Sequence, residues 1–292
     1  MTTPTETTFL DKVSDHIVTG ITLDLTRYMV AASLMTVLLL VFKRWADNRR
    51  IQKRRAIRSD YIREFFSSMR TVVVFAITTI TTLVLREYGY IEFKLEGASV
   101  ALIAFQFAIM VLAHDAYFYW MHRALHHKRL YKATHLHHHK SRTPTPWTSY
   151  SFATAEAVTE SIFMPIFLLA VSTLGVAYAG WAIFFFLWHM IFRNVMAHAG
   201  VELFPAGWTD SKWTDWISTT THHDLHHSEF RHNYGFYFTF WDRWMGTEHP
   251  QYKARFNAVA KPTVMTRRFA AGGTAAILAG LMVWSVLPTG IA

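Results

Sequence analysis

The sequence predicts an all-α fold: a polytopic membrane helical bundle of four to six spans or re-entrant helices, topped by a cytosolic histidine-rich helical cap. Three observations carry that prediction. Just over half of the 292 residues, 52%, are apolar and only 17% are charged, which argues against a disordered or extended polar chain. The apolar residues gather into five runs, the longest of 32 residues. Fifteen of the seventeen histidines lie between His114 and His232, in less than half of the chain. The sequence has no cysteine, so it offers no disulfide framework, thiol catalysis, iron–sulfur cluster or cysteine-bearing zinc site.

The elements follow in order. The first twenty residues are polar (Thr2, Glu6, Asp11, Lys12) and lack the basic-then-apolar order of a secretory signal, so the first span is expected to act as the membrane signal. Residues 28–42 and 71–85 are uncharged runs of fifteen residues each. A spanning helix needs roughly 17–25 residues, so Arg27, Lys43, Arg70 and Arg86 are expected to snorkel toward the interfaces. Between these runs, residues 43–70 hold ten Lys/Arg and three Asp/Glu, which is +7 of the chain's formal +9. Nucleic-acid binding would want a basic face across a polar domain. A basic block between two apolar runs is instead what the positive-inside rule expects of a cytoplasmic loop, and no nucleic-acid partner is expected.

Residues 97–113 form the third run. The fourth, 161–192, would make one helix of about 48 Å, too long for one span and short for two. Gly175 and Gly180 bracket its middle, so a tight helical hairpin is expected there. The fifth run is 269–292, preceded by Arg267 and Arg268. With the 43–70 loop in the cytosol, counting crossings puts both histidine-bearing segments, 122–139 and 198–232, on the cytosolic side, and the Arg267–Arg268 pair with them. The chain is therefore expected to be an integral protein of a bacterial inner membrane or the endoplasmic reticulum. Its expected units are N-terminal membrane helices with the basic loop (1–96), a histidine-box catalytic domain (97–250) and a C-terminal membrane helix (251–292).

The spacing of the histidines points to metal chemistry. His122 and His126 stand at i and i+4; His135, His138 and His139, and again His223, His226 and His227, stand at i, i+3 and i+4. Such positions share one face of a helix. His198 stands alone, four residues after Asn194. Eight or nine aligned histidines are too many for one zinc, which takes at most four protein ligands, but they suit two metals. Neutral imidazole accepts iron, copper, nickel or zinc, and affinity order does not choose among them. Each ligand ring also needs a partner for its second nitrogen, for which Asp115 and Asp224 are the expected carboxylates. Asn194 is a candidate for a water-mediated metal contact. His114, beside Asp115 near the inner end of the third run, is a candidate for a supporting or proton-handling role.

Other histidines have plainer readings. His137 points about 100° off the triplet face and is expected to be a bystander, as is His127. His222 and His226 also stand at i and i+4, which leaves a register ambiguity. His16, His189 and His249 read as hydrogen-bonded core residues. The aromatics Phe204, Trp208, Trp213 and Trp216 suit either a segment lying in the headgroup layer beside the site or simple core packing.

At this point a family resemblance emerges. The stretch His114-Asp115-Ala116-Tyr117-Phe118-Tyr119-Trp120-Met121-His122-Arg123-Ala124-Leu125-His126 resembles the first box of the fatty acid hydroxylase/sterol desaturase superfamily. Tyr131-Lys132-Ala133-Thr134-His135-Leu136-His137-His138-His139 resembles its second, and His198 with residues 199–205 its isolated intermediate histidine. His222 to His227, followed by Asn233-Tyr234-Gly235 and Trp241-Asp242-Arg243-Trp244-Met245-Gly246-Thr247, resembles the third box and its trailing signature. One departure concerns Asn194: fatty acid 2-hydroxylase relatives have a second histidine in that place.

The resemblance implies a membrane-embedded non-haem di-iron oxygenase that hydroxylates or desaturates a lipid. Its cofactors would be two iron ions, with zinc able to substitute in a purified form, and O2 would be the co-substrate. Hydroxylation of an acyl or alkyl chain is the first expectation. The lipid would enter from the bilayer into a slot between the spans. Electrons would come from a separate donor (ferredoxin, cytochrome b5 or a reductase), because the sequence carries no haem, flavin or iron–sulfur motif. Two rival classes make different predictions. A metal transporter or metal-binding membrane protein would place its ligands deep in the bilayer at a broken helix, whereas these histidines lie at the span ends. A zinc-dependent membrane hydrolase would supply a carboxylate base, and no His-Glu-x-x-His motif is present.

Overall fold

The structure is a computed structural model and describes residues 9–261; the run at 269–292 and the Arg267–Arg268 pair lie outside them. Five of its helices are long and apolar enough to cross a membrane: Ser14–Val41, Arg58–Glu87, Val100–Leu125, Thr154–Thr173 and Gly180–Ala197. The fold is the all-α membrane bundle expected. Val37, Ile77, Phe105, Leu112 and Phe184 face outward from these helices, the kind of apolar girdle that a bilayer covers.

The first two spans are longer than their uncharged runs. Helix α1 (Phe9–Val41) has 33 residues and, after the short α2 (Lys43–Asn48), α3 (Arg58–Glu87) has 30. Charged residues are accommodated because they find partners inside the bundle. Arg27 does not snorkel: it is buried and pairs with Asp24, whose other oxygen accepts from Thr79 Oγ1 at 3.0 Å. Arg70 stays exposed at the start of its run and donates to the Phe152 carbonyl. The basic segment is also less of a loop than its charge suggested. Nearly half of it, from Arg58 on, is the start of α3, and Arg49 is 1% exposed, donating from Nε to the Glu202 carbonyl at 2.7 Å and from Nη2 to the Phe204 carbonyl.

Helix α4 (Val100–Leu125) joins the third apolar run to the first histidine box as one rod of 26 residues, about 39 Å long. Ser99 starts it by accepting from the Leu102 amide at 3.2 Å, which satisfies one of the free N–H groups of the first turn. The fourth run becomes the expected hairpin. Helices α6 (Thr154–Ser161) and α7 (Phe163–Thr173) rise together, Gly175 turns the chain at φ +74°, and α8 (Gly180–Ala197) returns. At that turn β1 (Phe93–Lys94) pairs in parallel with β2 (Tyr178–Ala179), tying together two connections at the end of the bundle away from the histidines.

Three clusters hold the bundle. Tyr28, Phe75, Tyr150 and Ile191 bring α1, α3 and α8 around a short 3-10 turn at Pro146–Tyr150, with Tyr28 and Tyr150 stacked at 5.0 Å. Met110, Phe118, Phe163, Phe186, Phe236 and Tyr237 join α4, α7 and α8. The third lies under the cap, where Leu225 of α9 (Thr220–Glu229) meets Tyr252 and Phe256 of α11 (Tyr252–Val259), past the short α10 (Phe240–Trp244). The four aromatics at 204–216 divide between their two readings. Phe204 and Trp208 pack on this third cluster, Trp216 stacks on Phe240, and Trp213 is 76% exposed.

Candidate metal centre

The last turn of α4 carries His122, and His126 caps its C-terminus. The second box departs from the single helix its spacing predicted. It runs from the one-turn α5 (Tyr131–Thr134) through a turn into a 3-10 turn at His138–Lys140. The third box is a regular helix, α9, capped where Thr219 Oγ1 accepts from the His222 amide at 3.3 Å.

These elements sort nine imidazoles into two groups, each able to hold a metal ion. One comprises His122, His126, His135, His139 and His226; the other His138, His198, His223 and His227. Within each group the ligand nitrogens all lie within 4.8 Å of one another. A rule runs through the boxes: the i,i+4 pairs 122/126, 135/139 and 223/227 each stay together, while the i+3 members His138 and His226 cross to the other group. The reason is angular. On a helix the i+4 residue is displaced about 40° one way and the i+3 residue about 60° the other, so a triplet straddles two centres. Spacing alone had put each triplet on one face.

The chemistry of the nitrogens fits cations. The Nδ1 atoms of His122, His138, His198, His226 and His227 donate to the carbonyls of Tyr234, Ser151, Asn194, His232 and Ser141 at 2.7–3.3 Å. A neutral imidazole has one N–H, so their Nε2 atoms carry bare lone pairs. His198 Nε2 nevertheless stands 3.3 Å from His138 Nε2 and 3.1 Å from His227 Nε2. Lone pairs pressed together in this way repel unless a positive ion lies between them. In the other group, His122 and His135 Nε2 are 3.0 Å apart, and His126 Nε2 is 3.1 Å from those of His139 and His226. Neighbouring ligands at about 2.0–2.1 Å from one ion would stand at about 3.0–3.4 Å from each other.

Burial keeps these rings neutral and ready to ligate. It pushes His126 down to about 2 and His198 to about 4, and holds His135, His138, His139, His223, His226 and His227 well below the usual imidazole value. Outside the rings, burial raises Asp224 to about 7, against a hydrogen bond from Gln52 Nε2 at 2.9 Å.

The supporting residues differ from the expectation. Asp115 binds no imidazole; its Oδ1 accepts from the Tyr237 and Phe238 amides at 2.8 and 3.2 Å, drawing the chain after the third box back into the bundle. Asp224 turns to Gln52 of the basic segment. The carboxylate that does face a ligand ring is Glu156 on α6, 1% exposed, with Oε1 2.7 Å from His135 Nδ1. Sequence reasoning missed it. Its one signal was an acid just ahead of the fourth apolar run with no basic residue near it. Asn194 supports the site through its backbone carbonyl, and its side-chain Nδ2 donates to Ser149.

His114 lies outside both groups, among the rings of Phe163, Phe186 and Tyr237 at 4.8–5.5 Å. His137 Nε2 meets Ser67 Oγ at 2.7 Å, and His222 lies 3.4 Å from Asp242 and edge-on to Tyr252, so neither joins a group. Asp242 meanwhile holds the loop behind the third box, accepting from the Tyr234 and Gly235 amides at 2.8 Å. A Cβ at Gly235 would lie 2.6 Å from the Phe238 carbonyl oxygen, so that turn requires glycine.

Below the groups lies an apolar cavity of about 200 Å³. Its upper wall includes Phe118, whose ring is 5.1 Å from His122, Phe152, 5.1 Å from His138, and Asn194.

A helical membrane bundle with paired histidine clusters at one end defines a class of membrane metalloprotein. Residues 107–247 match the model of the fatty acid hydroxylase family. It is 31% identical to a Delta(7)-sterol 5(6)-desaturase of Gibberella zeae over 75% of this chain and 58% of the relative. It is 34% identical to a lathosterol oxidase of Rattus norvegicus over 47% of this chain and 42% of that protein. It is also 37% identical to a very-long-chain aldehyde decarbonylase of Oryza sativa subsp. indica over 43% and 20%. The chain thus spans about six tenths of the length of the sterol desaturases it matches, 58–60%. No solved structure matches it.

Proposed function

We propose that this chain is a membrane di-iron oxygenase that oxidises a C–H bond of a lipid, using O2 and electrons from a separate donor. The observation that carries the reading is the convergence of nine imidazoles, eight buried and His126 half-buried, in two groups at the head of an apolar cavity between membrane spans. The names of the relatives, sterol desaturase and lathosterol oxidase, favour lipid oxidation over metal transport or hydrolysis. When bound, two iron ions would supply the activation of O2 that an unactivated C–H bond demands.

The chain's own residues have separate parts. His122, His126, His135, His139 and His226 would hold one ion, and His138, His198, His223 and His227 the other. Glu156 and the carbonyls of Tyr234, Ser151, Asn194 and Ser141 fix the ring orientations, leaving Nε2 free to ligate. Phe118, Phe152 and Phe236 keep water away from the lipid chain beneath the ions. The basic segment is joined to the histidine end through Arg49 and Gln52, so the positive-inside rule favours a cytosolic metal face, open to a soluble or membrane-bound reductase. Hydroxylation inserts one oxygen atom and releases one water; desaturation removes two hydrogens and releases two waters. Each takes up one O2, two electrons and two protons.

Comparative lipid mass spectrometry of cells carrying the wild-type chain or His138→Ala tests the reading. A wild-type-dependent lipid one oxygen atom heavier marks hydroxylation, and one two hydrogens lighter marks desaturation. No lipid change together with one tightly held zinc per chain would overturn it.

A further inference from the structure

The cavity is lined mostly by apolar side chains, and its polar end is built from α1 and α3, outside the segment that matches the family, and from α6, inside it. Asp24, Arg27, Thr78, Thr79, Glu160 and Ser161 all line it. Asp24 is 2% and Arg27 8% exposed. Part of their hydrogen bonding is internal: Thr79 Oγ1 donates to Asp24, Arg27 Nη2 pairs with Asp24, and Thr78 and Ser161 share a hydroxyl contact at 2.8 Å. Arg27 Nε is left over, buried without a partner, as are the Tyr150 hydroxyl and His114 Nδ1 elsewhere on the cavity wall. An ion pair placed this far inside a membrane bundle is costly to keep and is a functional hypothesis by default; a donor without a partner there costs more still.

The position of this polar end relative to the metal groups can be read along three helices. On α3, Arg70 binds the Phe152 carbonyl at the metal end, and Thr79 lies nine residues deeper, about 13 Å at the helical rise. On α8 the cavity runs from Asn194 to Ile183, eleven residues or about 16 Å. On α6 Glu160 lies four residues, about 6 Å, beyond Glu156, which faces His135, so a lipid in the cavity could reach the polar end and the metal groups at once.

The charge balance selects the kind of group that would sit there. Asp24 already neutralises the one guanidinium and Glu160 adds a second carboxyl group, so a fatty-acid carboxylate would find no free cation there. A hydrocarbon end would leave Arg27 Nε unmet. A neutral hydroxyl can accept from Arg27 Nε and donate to a carboxyl oxygen, satisfying both. We infer that the Asp24–Arg27–Glu160 end of the cavity recognises the hydroxyl of a lipid alcohol whose chain extends toward the metal groups. This rests on the reading of the cavity as the lipid site.

The test uses the full, metal-loaded chain in detergent and measures equilibrium binding of hexadecanol, hexadecanoic acid and hexadecane, with no turnover required. The alcohol should bind at least about tenfold more tightly than the hydrocarbon or the acid, the span of one hydrogen bond to a charged group. The paired substitution Asp24→Asn with Arg27→Met should bring alcohol and hydrocarbon within about twofold, an advantage smaller than one net hydrogen bond. Glu160→Gln keeps the shape of the site and should narrow the alcohol-over-acid preference even if the paired variant fails to fold. Equal binding of alcohol and hydrocarbon to the wild type, or tightest binding of the acid, overturns the inference while leaving a lipid cavity in place. Binding of none of the three overturns both it and the lipid reading of the cavity.

Discussion

The two histidine groups share one cap and one residue type, yet they differ in ligand number and in surroundings. The group of five has one ring, His126, only partly buried, lying beside Tyr131. The group of four is buried throughout, and two of its members rest on cavity walls, His138 on Phe152 and His198 on Asn194. An ion with fewer protein ligands keeps more positions open. The difference teaches that symmetric sequence boxes produce an asymmetric site, with five rings to hold one ion and four to hold the other.

The sharpest way to break this comparison is to remove one ligand from each side. His138→Ala leaves three imidazoles of four and should lower lipid oxidation by more than about 100-fold, beyond the cost of losing an outer partner. His139→Ala leaves four of five and should retain more metal. Metal content per chain by plasma mass spectrometry, beside lipid turnover, reads both; equal metal loss in the two variants would erase the distinction.

Next in size is the carboxylate that only one group possesses. Glu156→Gln removes the charge facing His135 and should weaken metal binding about 10–100-fold, selectively in the group of five. Metal competition with a chelator would follow it, and an unchanged affinity would leave Glu156 a packing residue.

The pH dependence of the metal-free protein sharpens the comparison from the other side. Burial lowers His198 to about 4 and His126 to about 2, from 6.5 for the free side chain. The unfolded chain therefore binds more protons than the folded one below pH 6.5, so stability is complete above that value and falls as the pH drops toward 4. Thermal melts of metal-free protein at pH 8, 6 and 5 should descend in that order, with the metal-loaded protein less sensitive. Flat melting temperatures would mean the rings are not buried neutral.

Two arginines of the basic segment should separate in folding stability, one of them giving the smallest effect of all. Arg49→Met removes two hydrogen bonds that pin the segment to residues 202–204 and should cost about 3 kcal/mol. Arg54→Gln, at an exposed position, should change stability by less than about 0.5 kcal/mol. Chemical denaturation in detergent compares them.

Much of the architecture was legible because membranes impose a simple rule. Apolar runs must become helices, since no other open structure satisfies its backbone in lipid. The hairpin at Gly175 and the merging of the third run with the first box follow from run length and helical spacing. What the runs did not reveal was the true extent of α1 and α3. Their length depends on Arg27 pairing with Asp24 inside the bundle and on Arg70 reaching the Phe152 carbonyl, and a run of uncharged residues records nothing of such pairing.

The site divides along the same line. By itself the sequence determined which histidines are aligned, because i,i+4 spacing is a local property of a helix and survives any packing. It also determined that a carboxylate or carbonyl must stand behind each ring. Only the tertiary structure decided which ring belongs to which group, because the i+3 members cross between centres once α4, the 3-10 turn and α9 are brought face to face. Only it decided that Glu156, and not Asp115 or Asp224, faces a ligand ring, and that Asp24 and Arg27 of the first span meet Glu160 across one cavity. Those are contacts between residues far apart in the chain, set by packing, and no periodicity within one segment encodes them.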